Sequence, residues 1–422
     1  MTPASFNHRR KRLVMNALPS KFPARRRFLA ELSGGAAAAL GAGLLGSGKA
    51  LGDDVRIPGF EQARDYESDK PWEPVADRRI RVGIVGYGVC RFGASFGFQD
   101  HPNVDIVAVS DLIPERCRAL AQAVRCETTY PSLEELVKDD AIEAVFVATD
   151  APSHARHCLE VLRHGKHVAI AVPAFWGEEL DEADRLLEAV KTSGLNYMMF
   201  ETSCYHAGLY AMRQIYRAGG FGEIVYSEGE YYHYCPTPID SFRDWRVGAP
   251  PLWYPTHSTA YHIGVTDGSY TEVSCMGMPS IVKHLMPENN RYKNPFGTEI
   301  ALFRASEGGM SRMTCSWDTP GHSGEKGRVR GQLGSMDDMN YQGLAKEFPP
   351  LRRPPLPPTM AAGGHGGSHG PLCNEFVLSI LESRRPWIDI ATSLNMTAPG
   401  VVAHRSALKD GELMKIPQYK FE

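Results

Sequence analysis

An apolar run rich in β-branched residues, Ile80 to Val85, halts at Gly86-Tyr87-Gly88, and a second such run, Val104 to Ser110, ends in Asp111. With a helical segment between them, this order predicts the βαβ unit of a doubly wound parallel sheet. The glycines let the backbone turn tightly and approach a pyrophosphate, and a helix N-terminus supplies N–H donors behind them. Asp111, roughly 20 residues beyond the turn, is placed to accept hydrogen bonds from an adenosine ribose diol, and it would repel a 2′-phosphate. Gly86, Tyr87, Gly88, Val89, Cys90 and Asp111 are therefore expected to bind NAD in preference to NADP. The third glycine of the usual fingerprint is replaced by Arg91, and the next glycine is Gly93. A wider or shifted first turn is expected, because the third glycine normally permits close helix–strand packing.

The alternation continues. Pro114 opens an amphipathic helix, Ser132 a capped one, and the strand Ala144–Ala148 ends at Thr149, shortly before His154. A helix over 154–164 leads to the strand His167–Ala171, which ends at Val172-Pro173; a helix over 178–193 leads to the strand Tyr197–Phe200, which ends at Glu201-Thr202. This predicts an N-terminal Rossmann parallel-sheet domain over 79–202, with ligands at the carboxyl strand ends. Thr149, His154, Val172, Pro173 and Thr202 fall at that edge and join the cofactor candidates. After a helix over 207–218 come long alternating strands at 223–234, 271–286, 298–305, 309–317 and 327–334. Without intervening helices they favour a large, mainly antiparallel sheet, so 203–422 is expected to be a C-terminal α+β domain for substrate and oligomer contacts. The Pro/Gly stretch from Phe348 to Gly370 is too long for a plain connection. It is either a tether with a glycine hinge or a lid bringing His365 and His369 to the cofactor edge; helices over 371–383 and 390–408 follow.

A net charge of −3 over 422 residues, without a sustained basic face, argues against nucleic acid as a partner. Nine scattered cysteines form no C-x-x-C pair, so no metal site is expected. Residues 1–52 read as an export signal: basic residues at His8–Arg12 and Arg25-Arg26-Arg27-Phe28-Leu29 precede a Gly/Ala/Leu run too short for a stable membrane span. The Arg-Arg-x-Phe-Leu core predicts the twin-arginine route, which exports folded proteins, and a periplasmic or cell-envelope location. The polar, proline-bearing 53–78 reads as an arm or linker.

Gly86-x-Gly88, Asp111, Ala148-Thr149 with His154, and Gly165-Lys166-His167-Val168 leading to Pro173 resemble the Gfo/Idh/MocA oxidoreductases. The resemblance implies a Rossmann domain joined to an α+β substrate domain; a homo-oligomer is expected as well. That family usually ends its fifth strand in Glu-Lys-Pro; here the triplet is Ala171-Val172-Pro173, so the lysine's role has no bearer. A valine there is similar to the NAD-dependent glycoside hydrolase family 109 branch. So are Tyr205, Tyr231, Trp245-Arg246, the tetrapeptide Tyr254-Pro255-Thr256-His257 and Gly364–Gly367, while Ala171 and Thr202 depart from it.

Removing a hydride from a sugar carbinol requires a base for the hydroxyl proton, and a neutral imidazole serves near pH 7. His257 is the first candidate, Tyr254 the second, with Tyr205 as a further acid or base; His262 reads as structural. Tyr231, Arg246, Tyr254, Pro255, Thr256 and His257 form the expected substrate surface. The expected activity is hydride transfer at a ring carbinol of a sugar or glycoside. One alternative is a redox-neutral glycosidase, working by oxidation, elimination, water addition and re-reduction; another is a sugar-binding relative without chemistry.

Overall fold

The computed structural model describes residues 71–421; the expected export segment and the arm as far as residue 70 lie outside the described residues. The chain forms β1 (Ile80–Val85), α1 (Phe92–Ser95), β2 (Val104–Ser110), α2 (Pro114–Val124), β3 (Thr129–Tyr130) and α3 (Leu133–Leu136). It continues through β4 (Ala144–Val147), α4 (His154–Arg163), β5 (His167–Ile170), α5 (Asp181–Ser193) and β6 (Tyr197–Met199). These strands build one parallel six-stranded sheet in the order β3-β2-β1-β4-β5-β6, the Rossmann order. β1, β4 and β5 are almost wholly apolar because helices cover both of their faces. All carboxyl ends lie along one edge.

Next come α6 (Ala207–Arg217), β7 (Ile224–Tyr232), α7 (Thr256–Thr266), β8 (Tyr270–Pro279), β9 (Phe296–Ala305), β10 (Met310–Ser316), β11 (Gly324–Gly331), β12 (Gly334–Asp337) and β13 (Asn340–Gly343). α8 (Gly364–Gly367), α9 (His369–Leu381), α10 (Ile390–Ala407) and β14 (Met414–Lys415) complete the chain. The second sheet has eight strands in the order β13-β12-β11-β7-β10-β9-β8-β14. It is antiparallel except where β10 runs parallel to β7. The strand expected over 271–286 stops at Pro279, and short helical turns at Lys283–Leu285 and Pro287–Asn289 follow.

α7, missing from the sequence-based expectations, is the element that matters most for the site. It packs directly on β7 and β11: a Cβ on Gly229 would sit 2.0 Å from the Ser258 carbonyl, and one on Gly327 2.2 Å from the Tyr261 ring. Only residues without a side chain allow that approach. α7 is buried from Thr256 to Val265, so it shows no amphipathic stripe.

The opposite face of the second sheet is open. Ile300 and Leu302 on β9 project outward and pair across the strands with Met276 and Ser274 on β8; Met276, Met278, Ile300 and Leu302 are all exposed. No helix among the described residues is long and apolar enough to cross a membrane.

Candidate active site

The loop after β1 and the carboxyl ends of β2 and β4 line an open cleft. Gly86, Tyr87, Gly88, Val89, Cys90, Asp111 and Thr149 all line it, as do Trp245 and Arg246 from the other side. Gly86 has φ 102°, and a Cβ there would lie 2.3 Å from the Ala148 carbonyl, so the turn presses against the end of β4. A Cβ on Gly88 would meet nothing within 4 Å, so this position faces the open cleft. Asp111 is fixed at the rim: Oδ2 accepts the Tyr87 N–H (2.7 Å) and Oδ1 the Ile113 N–H (2.8 Å). Each carboxylate oxygen keeps a lone pair for a ribose hydroxyl.

The altered fingerprint has a clear structural consequence. Arg91 adopts the left-handed conformation (φ 51°) and caps a helix of only four residues, so α1 supplies much less dipole than expected. Gly93 takes over the packing role, since a Cβ there would lie 2.5 Å from the Gly86 carbonyl and 2.9 Å from Leu120. The shape of the cleft thus fits a dinucleotide, held by the 86–90 turn and by Asp111.

A second cavity adjoins the first through Val89, Cys90, Phe92 and Arg246. Val172, Thr202, Tyr231, Arg246, Tyr254 and His257 line it, together with Glu325 and His365. The remaining site candidates line neither space. His154 is buried, bonding through Nδ1 to the Pro173 carbonyl (2.7 Å) and through Nε2 to that of Thr149 (3.3 Å), so it ties the ends of β4 and β5 together. Pro255 and Thr256 are buried at the start of α7. Tyr205 is a correction: its ring packs against Trp387 (5.1 Å) and Tyr210 (6.1 Å), away from the cavity, which leaves it no direct part in chemistry there.

His257 is held from behind. Its Nδ1 lies 2.7 Å from Glu201 Oε1 and 3.7 Å from Glu325 Oε1. Glu201, fully buried at the end of β6, also accepts the Ser203 N–H (2.9 Å), so the turn Thr202–Tyr205 orients the carboxylate. Burial opposes a charge on His257, yet Glu201 and then Glu325 outweigh it and push its pKa up to about 9. The expectation of a neutral imidazole near pH 7 is therefore corrected: His257 rests as an imidazolium. The atoms of Glu201, His257 and Glu325 lie within 4.8 Å of one another, a span that admits a metal ion. The 2.7 Å contact is shorter than the roughly 3.3 Å ligand–ligand edge implied by zinc bonds of 2.0–2.1 Å. It is the distance of a shared proton.

Glu325 escaped sequence reasoning, although a signal existed. In β11 it alternates in phase with Gly327 and the buried Val329, whereas Lys326 and Arg330 face outward. An acid on the inward face of a strand is costly unless it is paired, and that cost marks function. Tyr231 lies edge-on to the His257 ring (4.6 Å), and Tyr254 is 5.4 Å from it. Burial pushes the Tyr254 phenol up to about 12, against the pull of Arg246, so near neutral pH Tyr254 donates hydrogen bonds rather than acting as a base. Arg246 itself lies over the Trp245 ring, 4.3 Å from its centre. The long Pro/Gly loop comes to the edge: His365 lines the cavity and bonds His369 (2.8 Å), whose Nδ1 reaches the Ser95 carbonyl (3.0 Å).

Residues 80–201 match a family model described as an oxidoreductase family with an NAD-binding Rossmann fold. Among curated proteins, glycosyl hydrolase family 109 protein 1 of Bacteroides fragilis is 33% identical over 164 residues, 36% of this chain and 35% of that protein. The match thus spans about a third of that relative's own length. A glycosyl hydrolase family 109 protein of Solibacter usitatus is 23% identical over 389 residues, covering 81% of this chain and 88% of its own. Among solved structures, levoglucosan dehydrogenase in complex with NADH superposes with a TM-score of 0.66 at 15% identity, over 81% of this chain and 100% of that one. An oxidoreductase domain protein from Kribbella flavida gives 0.65 at 19% identity, with the same coverage.

Proposed function

We propose that this chain, whose residues 80–201 match the model of an NAD-binding oxidoreductase family, acts at a ring carbinol of a sugar or glycoside seated between Val172 and His257. One observation carries this reading: a buried imidazole, backed by a carboxylate at 2.7 Å, lines a cavity continuous with the nucleotide cleft. Bound NAD supplies hydride acceptance and hydride return there. The chain's own groups do the rest. His257 takes the hydroxyl proton on Nε2 while Glu201 holds Nδ1–H and fixes the ring. Tyr231 and Tyr254 offer aromatic faces to the apolar side of a sugar, and Arg246 offers N–H donors to its hydroxyls. Val172 cannot move a proton, and of the groups lining the cavity His257 is the one that a buried carboxylate holds and orients at 2.7 Å.

A redox-neutral glycosidase is the second reading, favoured by the names of the curated relatives and by Tyr254-Pro255-Thr256-His257. Incubation with 4-nitrophenyl glycosides, with and without added NAD⁺, separates the two. Nitrophenol released without accumulating NADH supports the glycosidase, and accumulating NADH supports the dehydrogenase. Neither signal, from protein shown to bind NADH and screened across a glycoside panel, would remove both. The N-terminal Arg25-Arg26-Arg27-Phe28-Leu29 pattern supports export of the folded enzyme with its nucleotide.

The pH dependence has a definite sign. A base must be unprotonated, and a pKa of about 9 leaves roughly one imidazole in a hundred so at pH 7. In the oxidative direction kcat/KM is expected to rise about tenfold per pH unit from 7 to 8.5 and to level off above about 9. A profile flat from pH 7 upward would show that Glu201 and Glu325 do not hold the His257 pKa up in the free enzyme.

Association of two copies through the open face of the second sheet is part of the proposal, supported by the exposed Met276, Met278, Ile300 and Leu302. Ile300→Glu with Leu302→Asp should convert the species seen by analytical ultracentrifugation to monomer; an unchanged sedimentation coefficient would rule this face out.

A further inference from the structure

Three charged side chains line the substrate cavity, Glu325, His257 and Arg246, and the protein answers two of them. The His257 imidazolium stands before Glu201 and Glu325. Glu325 turns its oxygens to the rear, Oε2 taking the Ser203 hydroxyl (2.5 Å) and Oε1 lying 3.7 Å from His257 Nδ1. Arg246 has no such counter-ion. Among the described residues no carboxylate pairs with its guanidinium; the groups beside it are the Tyr254 and Tyr231 phenols and the Cys90 thiol. Ala171, at the place of the glutamate in Glu-Lys-Pro, lines the same cavity and adds no charge. The unanswered charge is felt across the site: burial and then Arg246 hold the His233 pKa down, and Arg246 works against the imidazolium of His257. A cation half-buried in this way is costly until something brings it a counter-charge.

The guanidinium is also held in place. Its carbon lies over the Trp245 ring, 4.3 Å from the centre, and 5.6 Å from the centre of the Tyr254 ring. Stacking on Trp245 leaves N–H groups in the guanidinium plane, set for two parallel bonds to a carboxylate. The His257 ring lies 5.4 Å from the same Tyr254 ring. Guanidinium and imidazole therefore flank one phenol, within the reach of a single pyranose.

We propose that Arg246 is a carboxylate subsite and that the sugar taken here is a uronic acid or its glycoside, its carboxylate forked onto the guanidinium while a ring carbinol meets His257. The inference rests on the sugar chemistry proposed above. One guanidinium answers one negative charge. A phosphate ester, with about two charges near pH 7, brings more than this wall offsets. The other imidazoles there, His233 and His365, have their pKa values lowered by burial and stay neutral.

Paired substrates test the subsite. With full-length protein and added NAD⁺, nitrophenol and NADH are both recorded on the 4-nitrophenyl glucuronides and galacturonides of each anomer, and on the matching glucosides and galactosides. The kcat/KM of a uronide should exceed that of its neutral partner by about 100-fold at low salt, and added salt should narrow the ratio. Arg246→Met should lower kcat/KM about 100-fold on the uronide and less than about threefold on the neutral glycoside. Arg246→Lys should keep part of the preference, since an ammonium offers the charge without the planar fork. Calorimetric titration of the NADH-bound protein with D-glucuronate and D-galacturonate judges the subsite apart from any chemistry: binding should weaken about tenfold or more in Arg246→Met. Wild type preferring the neutral glycosides, or the 6-sulfated glycosides over the uronides, would overturn the uronate. So would uronate binding unchanged in Arg246→Met, or NADH affinity lost in both Arg246 variants, which would give the guanidinium to the nucleotide. Uronate binding that depends on Arg246, with no turnover of any of these compounds, would instead remove the carbinol chemistry and keep the subsite.

Discussion

Replacing His257 by alanine is expected to lower kcat by about 10²–10⁴-fold, the usual contribution of a positioned general base, while leaving NADH affinity within about twofold. The two effects separate because His257 lines the substrate cavity and not the nucleotide cleft. The cost to the fold is bounded: the variant leaves Glu201 buried beside an unfilled space, and Ser203 N–H still bonds that carboxylate. Fluorescence titration with NADH and steady-state kinetics on the same preparation decide the matter. A variant with wild-type kcat would remove the imidazole from the chemistry, and one unable to bind NADH would show that the substitution had disturbed more than the base.

The second large effect is expected from Glu201→Gln, and it depends on pH in a way that a structural role alone does not explain. Glu201 comes first among the charges that hold the imidazolium. Without it the pH at which kcat/KM levels off should fall from about 9 toward the ordinary histidine value of roughly 6.5. The plateau itself should drop by about 10²-fold, because an amide orients Nδ1–H less strongly and does not stabilise the imidazolium formed in the reaction. Near pH 7 the larger unprotonated fraction offsets much of that loss; above pH 9 nothing does. Stability follows the same linkage. A histidine whose folded pKa lies above its unfolded value stabilises fully below about pH 6.5 and loses that contribution as pH rises through about 9. The melting temperature of wild type should therefore fall more steeply between pH 7 and 9.5 than that of the variant. Parallel curves would mean that the pair carries no linked proton.

The first sheet was legible because its strands are short apolar runs that each stop at a turn residue, and Asp111 stands at the end of β2 as the pattern requires. The shift at Arg91 was also legible, but its resolution was not. That Gly93 would take the packing position follows from its distance to the Gly86 carbonyl, which only the fold provides. α7 stayed hidden for a physical reason: it is buried on every side, and a helix without a polar face has no period to detect. The motif Tyr254 to His257 was therefore found as a motif and not as the entry to a helix. Tyr205 was misplaced because sequence gives a residue's neighbours along the chain and not the direction of its ring, which turns to Trp387. Glu325 lies 124 residues beyond Glu201 and meets it only because β11 crosses above α7.

A crystal structure of the protein with NADH tests the central claim most directly, through the distance from nicotinamide C4 to His257 Nε2. A sugar carbinol between them sets that distance at about 6 Å, from a reacting contact of about 3.5 Å and a hydrogen bond of about 2.8 Å. The account predicts this value, with the pyrophosphate on the Gly86–Gly88 turn and the nicotinamide beside Val172. A nicotinamide turned out of the cavity, or lying more than about 10 Å from the imidazole, would contradict it.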